Sequence, residues 1–84
     1  MTEKRSAWRA QATRYLDVRP ILAEGGDPFV LIIETAAPLQ PGESLLLTAP
    51  FEPVPLYQAL GERGFTHQTE AANAGEWWVL FTHD

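Results

Sequence analysis

The sequence predicts an α+β fold, a two-layer α/β sandwich with the element order β-α-β-α-β-β. Three features of its 84 residues predict this class. An almost wholly apolar segment follows an Asp-Pro pair, three consecutive leucines follow a Pro-Gly turn, and the last strand alternates between its two faces. We therefore expect a four-stranded mixed sheet with both helices on one face.

Prolines, glycines and capping residues set the bounds of the predicted elements. Pro20 ends the first strand because it has no N–H group for a ladder. Asp27 is a suitable N-cap residue, and Pro28 suits the first helical position. The predicted elements are the strand Thr13–Val18, the helix Phe29–Leu39, the strand Glu43–Ala49, the helix Pro53–Arg63, and a hairpin of Phe65–Ala72 and Glu76–His83 around the turn Asn73-Ala74-Gly75.

Length and composition limit the chain to one small domain. We assign residues 14–84 to this domain and residues 1–13 to a basic, flexible arm that includes Trp8. The sequence has no cysteine, which excludes disulfides and cysteine nucleophiles and fits a reducing, cytoplasmic setting. It shows no signal-peptide pattern and no apolar run of about 18 residues, so we expect no membrane partner.

The net charge of −5 is unevenly distributed along the chain. Residues 1–14 carry about +3, and the remainder carries about −8. An acidic body repels phosphate backbones, so we expect no nucleic-acid partner. The basic arm could contact an acidic partner or fold back on the domain, although a solvated leader is the simpler interpretation.

If both helices pack on one side, the other face of the sheet stays uncovered. Large apolar side chains on that face would then be exposed to solvent, and such exposure is typical of a contact surface. We therefore predict that the open face docks a protein partner or a second copy, as in a homodimer. The predicted interface residues are Tyr15, Leu46, Trp77, Trp78 and Leu80.

Several short strings in a fixed order resemble a known group of domains. They are Leu16-Asp17-Val18-Arg19, Pro41-Gly42-Glu43-Ser44-Leu45-Leu46-Leu47, Pro55-Leu56-Tyr57 and Arg63-Gly64-Phe65. Together with the element order they resemble the TusA/SirA-like fold, and more closely its uncharacterised relatives called domain of unknown function 2249. The resemblance covers about Tyr15 to Thr82, and it implies a TusA-like fold for residues 14–84.

The resemblance also implies a chemistry that this chain lacks. TusA-like sulfur carriers hold sulfur as a persulfide on a cysteine that precedes the first helix, where the helix dipole favours the thiolate. The matching position here is Asp27, whose carboxylate cannot carry sulfur. From the sulfur carriers the resemblance therefore implies the scaffold and its docking habits, but no sulfur transfer. It also implies an accessory or regulatory role, because such relatives resemble modules linked with redox or metal-related proteins.

The loop before the first predicted helix is the candidate ligand site. A glycine pair at a helix N-terminus exposes backbone N–H groups that could receive an anion, although the carboxylate of Asp27 caps the same groups. The candidate residues are Asp17, Arg19, Gly25, Gly26, Asp27 and Tyr57.

The two histidines of the chain, His67 and His83, are predicted to be diagonal neighbours on the terminal hairpin. A metal site needs three or four fixed ligands, and only Glu70 or Asp84 lies near them, so we predict no metal site. No Ser-His-Asp order and no phosphate loop is present. We therefore predict no catalytic residues and no cofactor.

Two functions remain open from the sequence. The first is a non-catalytic interaction module that docks a partner or itself through the open sheet face and the surroundings of the first helix. The alternative is a small-ligand or metal-binding protein that uses the loop 19–27 with His67 or Tyr57. We expect the protein not to be an enzyme.

Overall fold

The computed structural model describes residues 2–73 and 75–84, and within them the side chains of 7–72 and 75–84. Ala74 of the predicted hairpin turn and Met1 of the predicted arm lie outside the described residues. The elements in chain order are α1 (Thr2–Gln11), β1 (Arg14–Asp17), α2 (Arg19–Ala23), α3 (Phe29–Ala36), β2 (Ser44–Ala49), α4 (Val54–Gly61), β3 (Phe65–Asn73) and β4 (Glu76–His83).

The four strands form one mixed sheet in the order β1-β2-β4-β3. β1 is parallel to β2, whereas β4 is antiparallel to both β2 and β3. The register aligns Tyr15 with Leu46 and Leu46 with Leu80, so these three side chains lie in one row across the sheet. The predicted α+β class and the four-stranded mixed sheet are confirmed.

The main hydrophobic core lies between one face of the sheet and the helices α3 and α4. Each helix buries one apolar stripe there, because its inward residues recur at a spacing of four, as a period of 3.6 requires. The stripes are Ile32 with Ala36 on α3 and Leu56 with Leu60 on α4. The sheet contributes Leu45, Leu47, Val79 and Phe81, all of them at most 1% exposed.

The centre of the other sheet face is covered by α1, whereas Thr66 and Gln68 of β3 stay exposed on that face. Trp8 of α1 is only 5% exposed and packs with Leu46, Trp78 and Leu80, and Ala12 and Ala72 lie at the border of this cluster. The sequence predicts a flexible arm over residues 1–13, but Thr2–Gln11 forms a helix. The expectation that Leu46, Trp78 and Leu80 lie on an uncovered sheet face is also wrong, because a single tryptophan supplies the large apolar side chain that covers them.

A short helix, α2, occupies the segment after β1 where the sequence predicts only a strand end and a turn. Pro20 lies in its first turn, where a missing N–H group costs nothing. The Leu22 N–H donates to the Val18 carbonyl at 3.1 Å. Gly26 lies close against Ile21, since a Cβ there would lie 2.9 Å from Cγ2 of Ile21. β1 is therefore followed almost directly by α2, and a close turn at Gly26 then connects α2 to α3.

In residues 2–73 and 75–84, the structure contains no helix long and apolar enough to cross a membrane.

Candidate interaction surface

The loop before α3 is built around the carboxylate of Asp27. Its Oδ1 accepts a hydrogen bond from the Phe29 N–H at 3.0 Å, where α3 begins. That bond satisfies one of the backbone donors that a helix start leaves free. Gly25 adopts φ +83°, a left-handed conformation that favours glycine. Gly25, Gly26 and Asp27 thus shape and cap the helix entry, and ligand binding by them stays a prediction.

Asp17 and Arg19 form a closed ion pair at the end of β1. The guanidinium Nε donates to Oδ1 of Asp17 at 3.0 Å, and Nη2 donates to Oδ2 at 2.8 Å. These hydrogen bonds hold the pKa of the Asp17 carboxyl below its ordinary value. Arg19 also lies 3.8 Å from Oε2 of Glu76, which accepts a bond from Nε1 of Trp78 at 2.7 Å. The pair thereby joins the end of β1 to the start of β4.

Tyr57 on α4 packs against β3. Its ring stacks on His67 with 3.8 Å between ring centroids, and its hydroxyl lies 2.6 Å from Oγ1 of Thr69. The hydroxyl also donates to Glu52 at 3.2 Å. Burial raises the pKa of the Tyr57 phenol. In the part of the chain that the structure describes, these contacts join Tyr57 to Glu52 and β3, and none joins it to the candidate residues of the loop 19–27.

The two histidines lie diagonally on the hairpin, as the sequence predicts, because His67 pairs with Phe81 and His83 pairs with Phe65. His67 is stacked on Tyr57, and Nδ1 of His83 lies 2.8 Å from the Asp84 carbonyl. Among the described residues, no group of three or more His, Asp or Glu side chains is placed to hold a metal ion. Within these residues, neither histidine ring therefore has the further ligands that a metal ion needs.

The five predicted interface residues do not form one exposed face. Leu46 and Leu80 are fully buried and Trp78 is 8% exposed, all beneath α1. Tyr15 is more accessible, but the guanidinium of Arg9 lies 4.2 Å from its ring centroid. Trp77 pairs with Ala49 and Ala71, and strand alternation places it on the opposite side from Trp78. An interface role for this set stays untested, but α1 already occupies its centre.

A different apolar surface is exposed on the opposite side of the molecule. We call it the α3–α4 surface and define it by the five large apolar side chains that are at least 40% exposed there: Phe29, Val30, Leu31, Phe51 and Val54. Three are consecutive at the start of α3, Val54 begins α4, and Phe51 lies three residues before it. The sequence contained a signal for it, because Phe29–Ile33 is apolar around most of the helix while a core contact needs only one stripe.

Two shallow clefts open on the α3–α4 surface, and Phe29 lines both. The first, of about 250 Å³, runs between α3 and α4 and includes Val30, Ile33, Glu34 and Glu62 in its lining. The second, of about 170 Å³, is lined by Leu22, Asp27 and Phe51, together with three prolines. Both are smaller than the roughly 300–1,000 Å³ of a typical small-molecule pocket. The shape therefore fits side chains of another protein better than it fits an enclosed ligand.

Residues 15–83 match the family model described as "Uncharacterized conserved protein (DUF2249)". The chain belongs to this family. The predicted resemblance to the family of domain of unknown function 2249 is thereby confirmed, whereas the wider TusA-like kinship stays a prediction. No curated protein and no solved structure matches the chain. The match contains the whole α3–α4 surface, and α1, which ends at Gln11, precedes it.

Proposed function

We propose that this member of the family of domain of unknown function 2249 is a non-catalytic interaction module that docks a partner through the α3–α4 surface. The observation that carries the proposal is the concentration of five exposed large apolar side chains at the starts of α3 and α4. A concentration of exposed large apolar side chains on a small domain is characteristic of a protein–protein contact. An accessory or regulatory role, as the family resemblance implies, fits such a module.

The energetics of the α3–α4 surface fit a specific but reversible contact. Covering a half-exposed Val, Leu or Phe side chain contributes about 1 kcal/mol, roughly half of the value for complete burial. Five such side chains supply several kcal/mol before the cost of association is subtracted. A contact of this size suits an accessory domain that binds and releases its partner.

The polar groups near the α3–α4 surface support binding rather than catalysis. The carboxylate of Asp27 caps α3, and the hydroxyl of Tyr57 is held by Thr69 and Glu52. Neither arrangement provides a nucleophile together with a base that activates it. The absence of an enzymatic activity, and of nucleic-acid and membrane partners, belongs to this proposal. A cytoplasmic location stays a prediction from the sequence.

Site-specific photo-crosslinking tests the proposal in cells that express the full chain. A photoreactive amino acid is placed at Val30 or Val54, which are 60% and 56% exposed, and at Gln11 or Gln68 as exposed controls on α1 and β3. We expect adducts from the two valine positions. An adduct of twice the chain's mass identifies a second copy, and another mass identifies a different protein. Adducts from Gln11 and Gln68 alone would show that the docking surface lies elsewhere.

A further inference from the structure

We infer that the occupant of the α3–α4 surface is a basic amphipathic helix of another protein. The inference rests on the function proposed above and adds the chemistry of the partner. Two features carry it: the groove between two helices and the sign of the charges around that groove.

The shape of the α3–α4 surface favours a helix as its occupant. The larger cleft is lined by side chains of α3 and of the end of α4, including Phe29, Val30 and Ile33 on one wall and Ala59 on the other. Grooves between helices accept the apolar face of an amphipathic helix, whereas strand addition requires a free sheet edge. The edges of this sheet are β1 and β3, and neither contributes a side chain to the two clefts.

The charge around the α3–α4 surface favours a basic partner. From Pro20 to Glu62 the sequence has six carboxylates and no lysine or arginine. Glu34 and Glu62 line the larger cleft, Asp27 lines the smaller one, and Glu52 follows the exposed Phe51 directly. The guanidinium of Arg63 is the positive group in the lining of the larger cleft. An apolar groove with a predominantly acidic border complements a helix with apolar and basic faces.

Within the described residues, three of these carboxylates form hydrogen bonds with neutral groups rather than ion pairs. Asp27 accepts a bond from a backbone N–H, Glu52 from the Tyr57 hydroxyl, and Glu62 from the amide of Gln58 at 3.4 Å. Among the described residues, the ion pairs join Arg19 to Asp17 and Glu76, at the N-terminal end of α2. The negative charge near the groove is thus available to a cationic side chain.

The chain's own basic helix is not this occupant. α1 carries Lys4, Arg5 and Arg9 in its sequence, but its large apolar residue, Trp8, is buried against its own sheet. A second copy would have to withdraw α1 from that core to present the helix to the groove. The occupant is therefore a segment of a different protein.

Fluorescence anisotropy with designed peptides tests the inference on the full chain. The probes are three amphipathic peptides of about 18 residues, long enough to form a helix. They share leucines on one face and carry lysine, glutamine or glutamate at the remaining positions. We expect the lysine peptide to bind about tenfold more tightly than the glutamine peptide, because two exposed ion pairs contribute roughly 1.4 kcal/mol together. The glutamate peptide should bind least. Added salt should reduce the difference in affinity between the lysine and the glutamine peptide.

Matched variants locate the effect at the groove. Glu34→Gln with Glu62→Gln should reduce the affinity of the lysine peptide to that of the glutamine peptide. The control, Glu43→Gln with Asp84→Asn, removes the same charge outside the two clefts. In salt that screens the long-range field of the protein, it should leave the affinity of the lysine peptide unchanged within about twofold. An equal loss in both double variants would overturn the inference, since the attraction would then come from net charge alone.

The results also separate the inference from the proposed function. If the lysine and glutamine peptides bind equally and Val30→Gln weakens both, the basic partner is wrong and the α3–α4 surface remains a docking site. If no peptide binds, or if Val30→Gln changes no affinity, both the inference and the proposed function are overturned.

Discussion

The helix α1 and the helix α3 use apolar side chains in opposite ways. α1 is mostly polar, yet its one large apolar residue, Trp8, is 5% exposed and covers the centre of one sheet face. α3 is mostly apolar, yet it buries only Ile32 and Ala36 and leaves three large side chains at least 40% exposed. The number of apolar residues in a helix therefore does not determine what the helix covers. Its placement over a neighbouring surface does.

This difference separates a region needed for stability from a region available for binding. The cluster around Trp8 is complete, because Leu46, Trp78 and Leu80 are buried beneath it. The outward side of α3 has no element over it in the described chain, and three of its large apolar side chains stay at least 40% exposed after folding. Substitutions on the α1 side should therefore change the free energy of unfolding, and substitutions on the α3–α4 surface should change binding.

The largest effect is expected from Trp8→Ala. The change leaves three buried apolar side chains uncovered, and truncation of a buried tryptophan costs about 3–5 kcal/mol of unfolding free energy. Urea unfolding followed by circular dichroism measures it, and Gln11→Ala on the same helix, at an exposed position, is the control. A loss below about 1 kcal/mol would show that α1 does not hold this face.

A smaller effect distinguishes the two tyrosine–threonine contacts. The hydroxyl of Tyr15 lies 3.1 Å from that of Thr48, which is fully buried, so Tyr15→Phe leaves a buried polar group without this partner at a cost of about 1–3 kcal/mol. Tyr57→Phe should cost about 1 kcal/mol or less, because Thr69 and Glu52 are partly or fully exposed to water. The same unfolding assay compares the two variants. A larger loss for Tyr57→Phe than for Tyr15→Phe would contradict this prediction.

The Tyr57 contact also predicts a loss of stability in alkali. Because burial raises the pKa of the Tyr57 phenol in the folded protein, the folded state holds this proton more tightly than the unfolded state does. Its contribution is complete below the unfolded pKa near 10.0 and is lost as the pH rises through the folded pKa. Unfolding curves of the wild type and Tyr57→Phe at increasing pH should converge. Parallel curves would contradict the assignment.

A weaker effect is expected from the ion pair at the end of β1. Arg19 lowers the pKa of Asp17 in the folded state, so the stabilisation is present above the unfolded pKa near 3.8 and is lost as the pH falls through the folded value. Because both side chains are partly exposed, Asp17→Asn should cost less than about 1 kcal/mol at neutral pH. Glu24→Gln, on the loop before α3, is the control. An acid transition with the same midpoint in wild type and Asp17→Asn would contradict this role.

The smallest effect on stability is expected from Val30→Gln on the α3–α4 surface. Val30 is 60% exposed, so the free energy of unfolding should change by less than about 0.5 kcal/mol. Ile32→Ala, two residues along the same helix and 2% exposed, should cost about 2–5 kcal/mol. Similar losses for both variants would mean that the outward side of α3 is packed rather than exposed.

The sequence predicts those parts of the fold that have dense local signals. The leucines of β2 after a Pro-Gly turn and the alternation of β4 predict both strands to within one residue. α1 escapes prediction because one tryptophan among polar residues produces no periodicity. α2 escapes because it is five residues long and begins at a proline that also fits a strand end.

The candidate site is predicted less well than the fold, because exposure depends on distant parts of the chain. The sequence places Asp27 at the start of α3, but it does not show that Asp17 and Arg19 pair with each other rather than bind a ligand. It treats the sheet face as open because nothing local shows that Trp8 will cover Leu46. It likewise does not show whether Val30 faces the core, since an apolar helix does not reveal which of its sides another element will cover.

The central claim, that docking occurs on the α3–α4 surface and not on the sheet, is tested most directly by nuclear magnetic resonance. The lysine peptide is titrated into isotope-labelled protein, and backbone amide and tryptophan indole N–H signals are followed together. We predict shifts at the amides of Phe29, Val30, Phe51 and Val54, with the indole signals of the buried Trp8 and Trp78 unchanged. Shifts of those two indole signals with none at α3 would contradict the claim.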